Sequence, residues 1–498
     1  MNTALSRKAR VPPLAEPAWF VVGLALIALT ALVGLIEPLA LLFRVVSRTY
    51  NEGWNAFWAD TAFHDGSLYV PVDSPITNNY PPLSFHLVGL IGSVLGDNVI
   101  AGRLVSLASL AVVVAAVFGW LRVTGAARLI AAAGSVFVLV VFTTFGVDYI
   151  AMNDPQMLAH AFMLGALLLL WRFDFNRLAV VAGAVLMLLG GFTKHLLIPL
   201  PVAVTLWFAL YRRDRLGVWL ACFAIGLPLG FWLTISRYPL FVADLMSARV
   251  YDMDQWASAT LHALLRFAPL LAVGAVPIVQ WLRAPRGTKL SPHIVLALLY
   301  VALSLVIGSI ASGGEGVARN AFFDLLIASS LCAALGLEWW WANSREARWF
   351  RLSPAPATVV VFGVLMGLYA VWMAPRTLDD LREADELEQD TRTMVQMIER
   401  LGKGHAACET LALCYWARTP FAVDFFNYGQ KLRTGTLPVE TCTAALQRGE
   451  FPVLQLELHK RVGHRLWPCT PAIQQYYTVA YRSRAGLLLV PKEAFARL

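Results

Sequence analysis

Residues 17–36 read PAWFVVGLALIALTALVGLI, a stretch of 20 residues without a charge. A helix needs about 20 apolar residues to cross the roughly 30 Å hydrocarbon core of a bilayer. The stretch is too long for the core of a secretory signal peptide, and no small-residue cleavage site follows it. We therefore predict a retained transmembrane helix at this position.

The rest of the chain repeats this pattern. Of its 498 residues 58% are hydrophobic and only 14% are charged, and the mean hydropathy is +0.62, so lipid must solvate most of the chain. Further charge-free runs lie at residues 104–121, 129–147, 155–171, 178–193, 195–211, 216–236, 267–282, 290–314 and 352–375. An eleventh helix is predicted at about 320–341, where Asp324 and Glu338 sit near the ends and three tryptophans favour the interface. These patterns predict a mainly α, polytopic membrane protein with about eleven transmembrane helices.

The basic residues predict the orientation of these helices. With the N-terminus placed in the cytoplasm, sixteen Lys and Arg residues fall in inside segments, against seven in outside loops before the C-terminal region. This bias predicts a cytoplasmic N-terminus and, after eleven crossings, a C-terminal region on the outer side. The net charge of +8 follows largely from the same bias, so no nucleic-acid partner is expected.

Composition divides the chain into four regions. Residues 1–43 hold a basic tail and the first helix. Residues 44–96 are predicted to form an outer loop with juxtamembrane helices, one of them in segment 80–95, which Pro81 and Pro82 open. Residues 97–375 hold the transmembrane core. Residues 376–498 start with an amphipathic helical pattern at 377–401 and continue with strand-like runs at 452–457 and 477–490. They predict a small outer α/β domain.

Four of the six cysteines, Cys408, Cys414, Cys442 and Cys469, fall in that domain. An even number of cysteines on the side assigned to an oxidising compartment predicts two disulfides, for which three pairings are possible. The spacing contains no CxxC pair, which makes a zinc site the weaker interpretation.

Polar residues at helix mouths collect on the predicted outer side, and intramembrane or juxtamembrane polar groups are hypotheses of function because they are costly. They form three clusters. The first contains Asn51 and Glu52, the second contains Asn78, Asn79 and Tyr80, and the third contains Asp148, Tyr149, Asn153 and Asp154. Amides and a phenol can hydrogen-bond sugar hydroxyls without charge. Each cluster could also be an ordinary capped turn, and Asp154 before Pro155 is a plausible N-cap.

Basic groups on the same side match an anchored phosphate. They are Lys194 and His195 between two apolar runs, Arg237, Arg249, and Arg319 with Asn320. Arg suits phosphate through its paired donors, and the alternative is snorkelling of these side chains to lipid headgroups. A divalent cation is possible, with Asp60, His64 and Asp65 as candidates, but the sequence favours a solvated loop over a metal site for these three residues. No organic cofactor is expected.

The order of these motifs resembles the C-type glycosyltransferase superfamily. The motifs are the acid of the first loop, Tyr80-Pro81-Pro82 before a juxtamembrane helix, Gly96-Asp97-Asn98 with Arg103 one turn later, and Asp154-Pro155. The resemblance covers the first 200 residues best and is strongest to the bacterial relatives of protein mannosyltransferases and aminoarabinose transferases.

The resemblance implies transfer of a sugar from a polyprenyl-phosphate donor to a glycan, lipid or protein acceptor outside the membrane. It implies that an acidic residue of the first loop acts as general base or binds a metal on the acceptor side. Because Asn51 stands where the family usually has Asp, we assign the proton-accepting role to Glu52 or Asp154. Asn51, Asn78, Asn79, Tyr80, Asp148, Tyr149 and Asn153 would bind substrate, and Lys194, His195, Arg237, Arg319 and Asn320 would bind the lipid phosphate.

The bacterial relatives imply a multi-pass protein of the inner (plasma) membrane with a periplasmic C-terminal domain. Two other functions stay open at this point. A transporter or flippase of a lipid-linked substrate would need essential charges midway through helices, and no internal repeat indicates the inverted halves of such proteins. A noncatalytic assembly subunit with the same fold is the second alternative.

Overall fold

The computed structural model describes residues 15–64, 66–285, 287–317, 319–343, 352–458 and 468–495. Most of this part is helical. The helices before residue 344 are α1 (Ala15–Ala40), α2 (Tyr50–Phe63), α3 (Leu83–Leu95), α4 (Asn98–Val123), α5 (Arg128–Phe145), α6 (Gln156–Arg172), α7 (Arg177–Thr193), α8 (Pro199–Tyr211), α9 (Arg213–Arg237), α10 (Phe241–Leu245), α11 (Met253–Gly274), α12 (Val276–Arg283), α13 (Pro292–Ser312) and α14 (Phe323–Asn343), with 3-10 turns at Val147–Tyr149 and Arg319–Phe322.

Eight helices of the described chain are long and apolar enough to cross a membrane, namely α1, α4, α5, α9, α11, α13, α14 (extended to Arg319) and the later α15 (Pro354–Gly402). The predicted multi-pass membrane protein is therefore confirmed. Shorter apolar helices, α6, α7 and α8, occupy three further predicted runs, so the number of eleven crossings stays a prediction.

The run predicted at 267–282 was placed wrongly. The helix there, α11, begins at Met253 and ends at Gly274, and α12 is a separate helix. A charge-free run cannot contain Arg266, so the predicted run begins after the first half of α11. In the structure the Arg266 guanidinium donates to Thr144 O on α5 at 3.0 Å, which lets a charged residue lie within the helix.

The predicted boundary between the transmembrane core and the C-terminal domain falls inside one helix. α15 runs over 49 residues through Pro375, a length of roughly 70 Å at 1.5 Å per residue. Its first half packs along α1, where Gly23 meets Val359 and Gly363 at a distance that leaves no room for a Cβ atom. Small residues permit such close helix crossings in membranes.

The second half of α15 leads into the small α/β domain predicted from the sequence. Its elements are β1 (Ala406–Cys408), α16 (Leu411–Trp416), α17 (Phe425–Arg433), α18 (Val439–Gln447), β2 (Val453–Leu456), α19 (Thr470–Tyr476), β3 (Tyr477–Ser483), β4 (Gly486–Pro491) and α20 (Lys492–Phe495). The sheet order is β1-β2-β4-β3, with β1 parallel to β2 and the other pairs antiparallel. The predicted disulfides are confirmed, with Cys408 bonded to Cys414 and Cys442 to Cys469.

The domain sits on the bundle through α16 and α2. Gly53 of α2 approaches the backbone of Leu411 and Ala412 so closely that any Cβ atom would collide with it. Beside this crossing the rings of Phe57 and Phe421 stack with centroids 4.7 Å apart. The Cys408–Cys414 disulfide ties β1 to α16, so it holds in place the helix that contacts the bundle.

Candidate functional site

A cavity of about 650 Å³ lies between the bundle and the C-terminal domain. Six residues predicted as site residues line it, namely Asn51, Asn79, Tyr80, Asp148, Tyr149 and Asn320. The domain contributes Thr410, Phe426, Asn427, Glu457 and Arg484 to the opposite wall. The polar clusters that the sequence placed at one end of the bundle are thus brought together, and the domain covers them.

Glu52 is predicted to be catalytic but does not line this cavity. Its side chain is fully buried and forms a two-pronged ion pair with Arg103, with Nε to Oε1 and Nη2 to Oε2 both at 2.7 Å. The carboxylate also accepts from the backbone N–H groups of Arg48 at 2.8 Å and Asn153 at 3.3 Å. With both oxygens occupied, the geometry favours a structural role for Glu52, and its catalytic role stays a prediction.

Arg103 is likewise saturated. Its Nη1 donates to Leu41 O at 2.8 Å and Arg44 O at 2.9 Å, and its Nη2 donates to Val46 O at 2.5 Å. Together with the two bonds to Glu52, these contacts match the five N–H groups of a guanidinium. The ion pair therefore fastens the chain that leaves α1 to the first turns of α2 and α4.

Asp154, the second predicted catalytic acid, lies just behind the cavity wall. Its Oδ1 is 3.6 Å from Lys194 Nζ and accepts from Gln156 N at 2.8 Å, while its Oδ2 is 3.5 Å from Asn51 Nδ2. Asn51 lines the cavity, so this amide separates Asp154 from the space that a substrate would occupy. The catalytic role of Asp154 stays a prediction.

Lys194 was predicted to bind phosphate, but its ammonium is buried inside the protein. Nζ lies 3.5 Å from the centroid of the Tyr80 ring and has no hydrogen-bond partner among the described residues. Tyr80 lines the cavity above it. In this structure Lys194 pairs with Asp154 and supports Tyr80 through a cation–π contact, and it does not reach the cavity.

Asp148 is the bundle carboxylate that does reach the cavity. It lies 3.4 Å from Arg319 Nη1, and both side chains are about half exposed. Arg319 also donates to Phe145 O at 3.2 Å. A solvated pair of this kind is weak, so it leaves both groups free to rearrange around a ligand.

Five further predicted residues do not line the cavity, namely Asn78, Asn153, His195, Arg237 and Arg319. Asn78 is fully buried, and its Oδ1 accepts from Tyr80 N at 3.1 Å. Asn153 donates from Nδ2 to Glu52 O at 3.1 Å. These two amides shape the wall of the site from behind.

The turn around Asn78 is held by Asp244, whose Oδ2 accepts from the backbone N–H groups of Val70 at 3.0 Å and Asn78 at 3.2 Å. Burial raises the pKa of Asp244 above its ordinary value, although these two hydrogen bonds oppose the shift. The same physical cause raises the pKa of Asp424, which is fully buried and accepts a hydrogen bond from Tyr50 of the cavity wall.

Arg249 is the cavity-lining cation whose importance the sequence left undecided. It forms no salt bridge in the described part of the chain, although its charge acts on the buried carboxyl of Asp424. Nη1 donates to Glu315 O at 3.2 Å, and the guanidinium lies 5.4 Å from the centroid of the Phe426 ring. By contrast, cavity-lining Arg484 pairs with Glu386 at 2.5 Å. The sequence shows which residues are basic, but not which carboxylates form ion pairs with them.

Two of the three candidate metal ligands, Asp60 and His64, lie within the described residues. Asp65 lies outside the described residues, and the His64 ring bonds to the backbone oxygen of Asp60 one turn before it. Within the described ranges no group of three or more His, Cys, Asp or Glu side chains is arranged to hold a metal ion. The divalent cation considered from the sequence stays a prediction.

No protein-family model matches the chain, and no curated protein matches its sequence. Solved structures do match. The structure of ArnT from Cupriavidus metallidurans in the apo state superposes with a TM-score of 0.59 at 13% identity, covering 96% of this chain and 98% of that one. The same protein bound to undecaprenyl phosphate gives a TM-score of 0.57 at 15% identity, over 95% and 98% of the two chains.

A third matching structure is of a different protein. The oligosaccharyltransferase of Archaeoglobus fulgidus, solved with a tethered acceptor peptide containing the NVT sequon, superposes with a TM-score of 0.52 at 13% identity, over 95% of this chain and 74% of that one. This chain has the C-type glycosyltransferase fold. The fold predicted from the order of the motifs is therefore confirmed. Because C-type glycosyltransferases share it at such low identity, the match shows the architecture, and the roles of individual residues rest on the geometry above.

Proposed function

We propose that the protein is a glycosyltransferase that moves a sugar from a polyprenyl-phosphate donor to an acceptor bound in the cavity. The C-type glycosyltransferase fold supports this class of reaction, and ArnT, which shares the fold over nearly its whole length, has been solved with undecaprenyl phosphate bound. The observation that carries the proposal is the cavity at the bundle–domain boundary, where Arg249 and Asp148 lie in walls built from amides and aromatic rings.

Arg249 would hold the donor phosphate. A guanidinium that forms no salt bridge and donates only to the Glu315 backbone oxygen keeps its other N–H groups available for the phosphate oxygens, which it can bind in pairs. Its charge would also offset the negative charge that develops on the phosphate as the sugar leaves. This assignment replaces Lys194, whose ammonium lies behind Tyr80, as the first candidate for the phosphate.

Asp148 would accept the proton of the acceptor hydroxyl. The acceptor oxygen forms a bond to the anomeric carbon while the bond between that carbon and the phosphate oxygen breaks, and the phosphate leaves with the electron pair. A general base must come within hydrogen-bond reach of the proton, and Asp148 is the bundle carboxylate in the cavity wall. The Asp154–Lys194 pair would act from behind by fixing Asn51 and Tyr80, which would contact the sugar.

The direct test uses undecaprenyl phosphate and the purified full chain in detergent or nanodiscs. We expect saturable binding that Arg249→Gln weakens at least tenfold. Arg237→Gln is the matched control, because Arg237 lies at the same end of the bundle but does not line the cavity. Equal affinity of the wild type and the Arg249→Gln variant would contradict the assignment of the phosphate site.

Turnover tests the reaction itself. A panel of undecaprenyl-phosphate sugars is incubated with the protein and a membrane extract as the acceptor source, and released undecaprenyl phosphate is measured with and without EDTA. We expect release with at least one sugar, and its loss in Asp148→Asn. Binding without release from any donor would instead favour the transporter or the noncatalytic assembly subunit.

We also propose the location that the charge bias predicts. The N-terminus would lie in the cytoplasm and the C-terminal domain in the periplasm of a bacterial inner membrane. The two disulfides of the domain support this orientation, since disulfides persist in oxidising compartments. The test labels a Gln447→Cys variant in intact cells, at an exposed position of α18. We expect a membrane-impermeant reagent to label it from the periplasm, and labelling only from the cytoplasmic side would contradict the proposal.

A further inference from the structure

A chain of buried polar side chains leads from the cavity wall into the transmembrane part of the bundle. It starts at Asn320, passes through Gln156 and His160 on the first turns of α6, and reaches Asp324 on α14. Gln156, His160 and Asp324 are all buried, and His160 has no exposed surface. Buried polar groups in a membrane bundle are costly unless they form hydrogen bonds with one another, so these side chains are expected to be paired.

The contacts have a definite direction. Gln156 Nε2 lies 3.1 Å from His160 Nε2, and Asn320 Nδ2 lies 3.4 Å from Gln156 Oε1. An amide nitrogen only donates, so His160 Nε2 must be an acceptor and the ring proton must lie on Nδ1. Nδ1 faces Asp324 Oδ1 at 4.0 Å, an electrostatic contact rather than a hydrogen bond.

The carboxylate of Asp324 sets this direction. Tyr300 already donates to Asp324 Oδ1 at 2.5 Å. If the Gln156 amide were turned around, its oxygen would face His160 Nε2, the ring proton would move to Nε2, and the bare Nδ1 would face the carboxylate. Two acceptors would then confront each other, so the order Asp324, His160, Gln156, Asn320 is the one in which every neighbour pairs an N–H with a lone pair.

One atom remains. With its nitrogen directed to Gln156, Asn320 has its Oδ1 buried and without a hydrogen-bond partner among the described residues. A second cavity of about 20 Å³ lies at this point and is lined by Gln156, Asn320 and Asp324 together with apolar residues. A volume of roughly 10–15 Å³ suffices for one water, provided that polar partners surround it.

We infer that a single water binds between Asn320 and Asp324 and closes the chain into a polar ring, in which the link from His160 Nδ1 to Asp324 Oδ1 is the 4.0 Å electrostatic contact. The water donates one hydrogen to Asn320 Oδ1 and the other to the Asp324 carboxylate. This inference rests on the hydrogen-bond geometry and is independent of the proposed glycosyl transfer. The ring directs the Asn320 nitrogen toward Gln156, so only one of its two N–H groups is left for a phosphate in the cavity, and the predicted phosphate role of Asn320 stays a prediction.

The ring also adjoins the centre of the candidate site. The backbone N–H of Gln156 donates to Asp154 Oδ1 at 2.8 Å, so fixing Gln156 helps to fix the Asp154–Lys194 pair behind the cavity wall. His160 and Asp324 do not line the large cavity. Their contacts with the site run through Gln156 and Asn320.

Substitutions of His160 separate a ring from simple packing. In His160→Gln, the new amide can accept from Gln156 and donate to Asp324, so we expect an unfolding midpoint close to that of the wild type. His160→Leu fills similar space but breaks the ring, and we expect it to lower the midpoint by several degrees. If His160 served only to fill the membrane interior, the leucine variant would be at least as stable as the glutamine variant, and the inference would be overturned.

A double-mutant cycle tests whether His160 and Asn320 belong to one hydrogen-bonded network. His160 and Asn320 are joined through Gln156 and, across the water, through Asp324, so the losses from His160→Leu and Asn320→Leu should overlap, with the double variant clearly more stable than the sum predicts. Asn320→Leu combined with Ser135→Ala is the control pair, because Ser135 Oγ donates to Val114 O elsewhere, and we expect additivity. Additive losses in both pairs would contradict the ring.

Direct observation of the water needs no variant. A cryo-EM map of the full chain in nanodiscs, at a resolution that shows ordered waters, should contain one density within hydrogen-bond distance of both Asn320 Oδ1 and the Asp324 carboxylate. A map that shows waters elsewhere in the protein but none at this point would refute the inference.

Discussion

The ion pair between Glu52 and Arg103 gives the sharpest test of how this site is built. The substitution is Glu52→Gln, which keeps the shape of the side chain and removes its charge. Both partners of the pair are fully buried, and the new amide would turn an N–H group toward a guanidinium that can only donate. Arg103 would then carry an uncompensated charge inside the protein.

Breaking a buried ion pair by removing one partner costs about 3–5 kcal/mol. We expect the full cost for Glu52→Gln, because Arg103 has its remaining N–H groups fixed on backbone oxygens and cannot turn to solvent. Glu52→Gln combined with Arg103→Met should cost less than the sum of the two single changes, since the double variant leaves no buried charge.

The assay is thermal or denaturant unfolding of the purified protein, followed by glycosyl transfer measured on the folded fraction. Asp148→Asn is the matched carboxylate control. Its ion pair is about half exposed and contributes at most about 1 kcal/mol, so we expect a nearly unchanged midpoint with loss of transfer. A Glu52→Gln variant as stable as the wild type but inactive would refute our reasoning and support the catalytic role predicted from the sequence.

Three further predictions concern the C-terminal domain and the loop beneath it. Gly53→Val should displace α16 from α2 and expose the domain to limited proteolysis, whereas Gly165→Ala, at a position with open space, should be tolerated. Cys408→Ser, which removes the Cys414 disulfide, should lower stability by about 2 kcal/mol for so short a loop, seen as a lower unfolding midpoint under non-reducing conditions. Asp244→Asn should gain stability relative to the wild type as the pH rises from about 4 through the raised pKa of Asp244.

The sign of the last prediction follows from linkage. Because the folded-state pKa of Asp244 is raised, the folded protein binds a proton more tightly than the unfolded chain, and this contribution is lost as pH rises through the folded-state pKa. One oxygen of the asparagine can still accept both backbone hydrogen bonds. A difference in midpoint between the two proteins that stays constant with pH would contradict the assignment.

The predictions for Gly53→Val and Cys408→Ser can each be contradicted by one result. Unchanged protease sensitivity of Gly53→Val would mean that the domain does not depend on this crossing. A wild-type midpoint for Cys408→Ser would mean that the disulfide does not hold α16 in place.

The sequence predicted the fold to a large extent. Long charge-free runs can be solvated only by lipid, and the helices found in the structure occupy them. The error at residues 267–282 came from Arg266, whose hydrogen bond to α5 depends on a neighbouring helix. Juxtamembrane helices were predicted in residues 44–96, but the bounds of α2 were not, because its short sequence YNEGWNAFWADTAF has no strong helical pattern and is buried against α3, α4 and α16.

What the sequence determined by itself was the solvent of each segment, the side on which polar residues collect, and the separate nature of the C-terminal domain. These are properties of composition and local periodicity. Only the tertiary structure decided which charges are partnered. It placed Glu52 against Arg103 and Lys194 against Asp154, residues 51 and 40 positions apart, and left Arg249 and Asp148 facing the cavity. Pairing between distant residues depends on how the helices pack, and no local pattern records it.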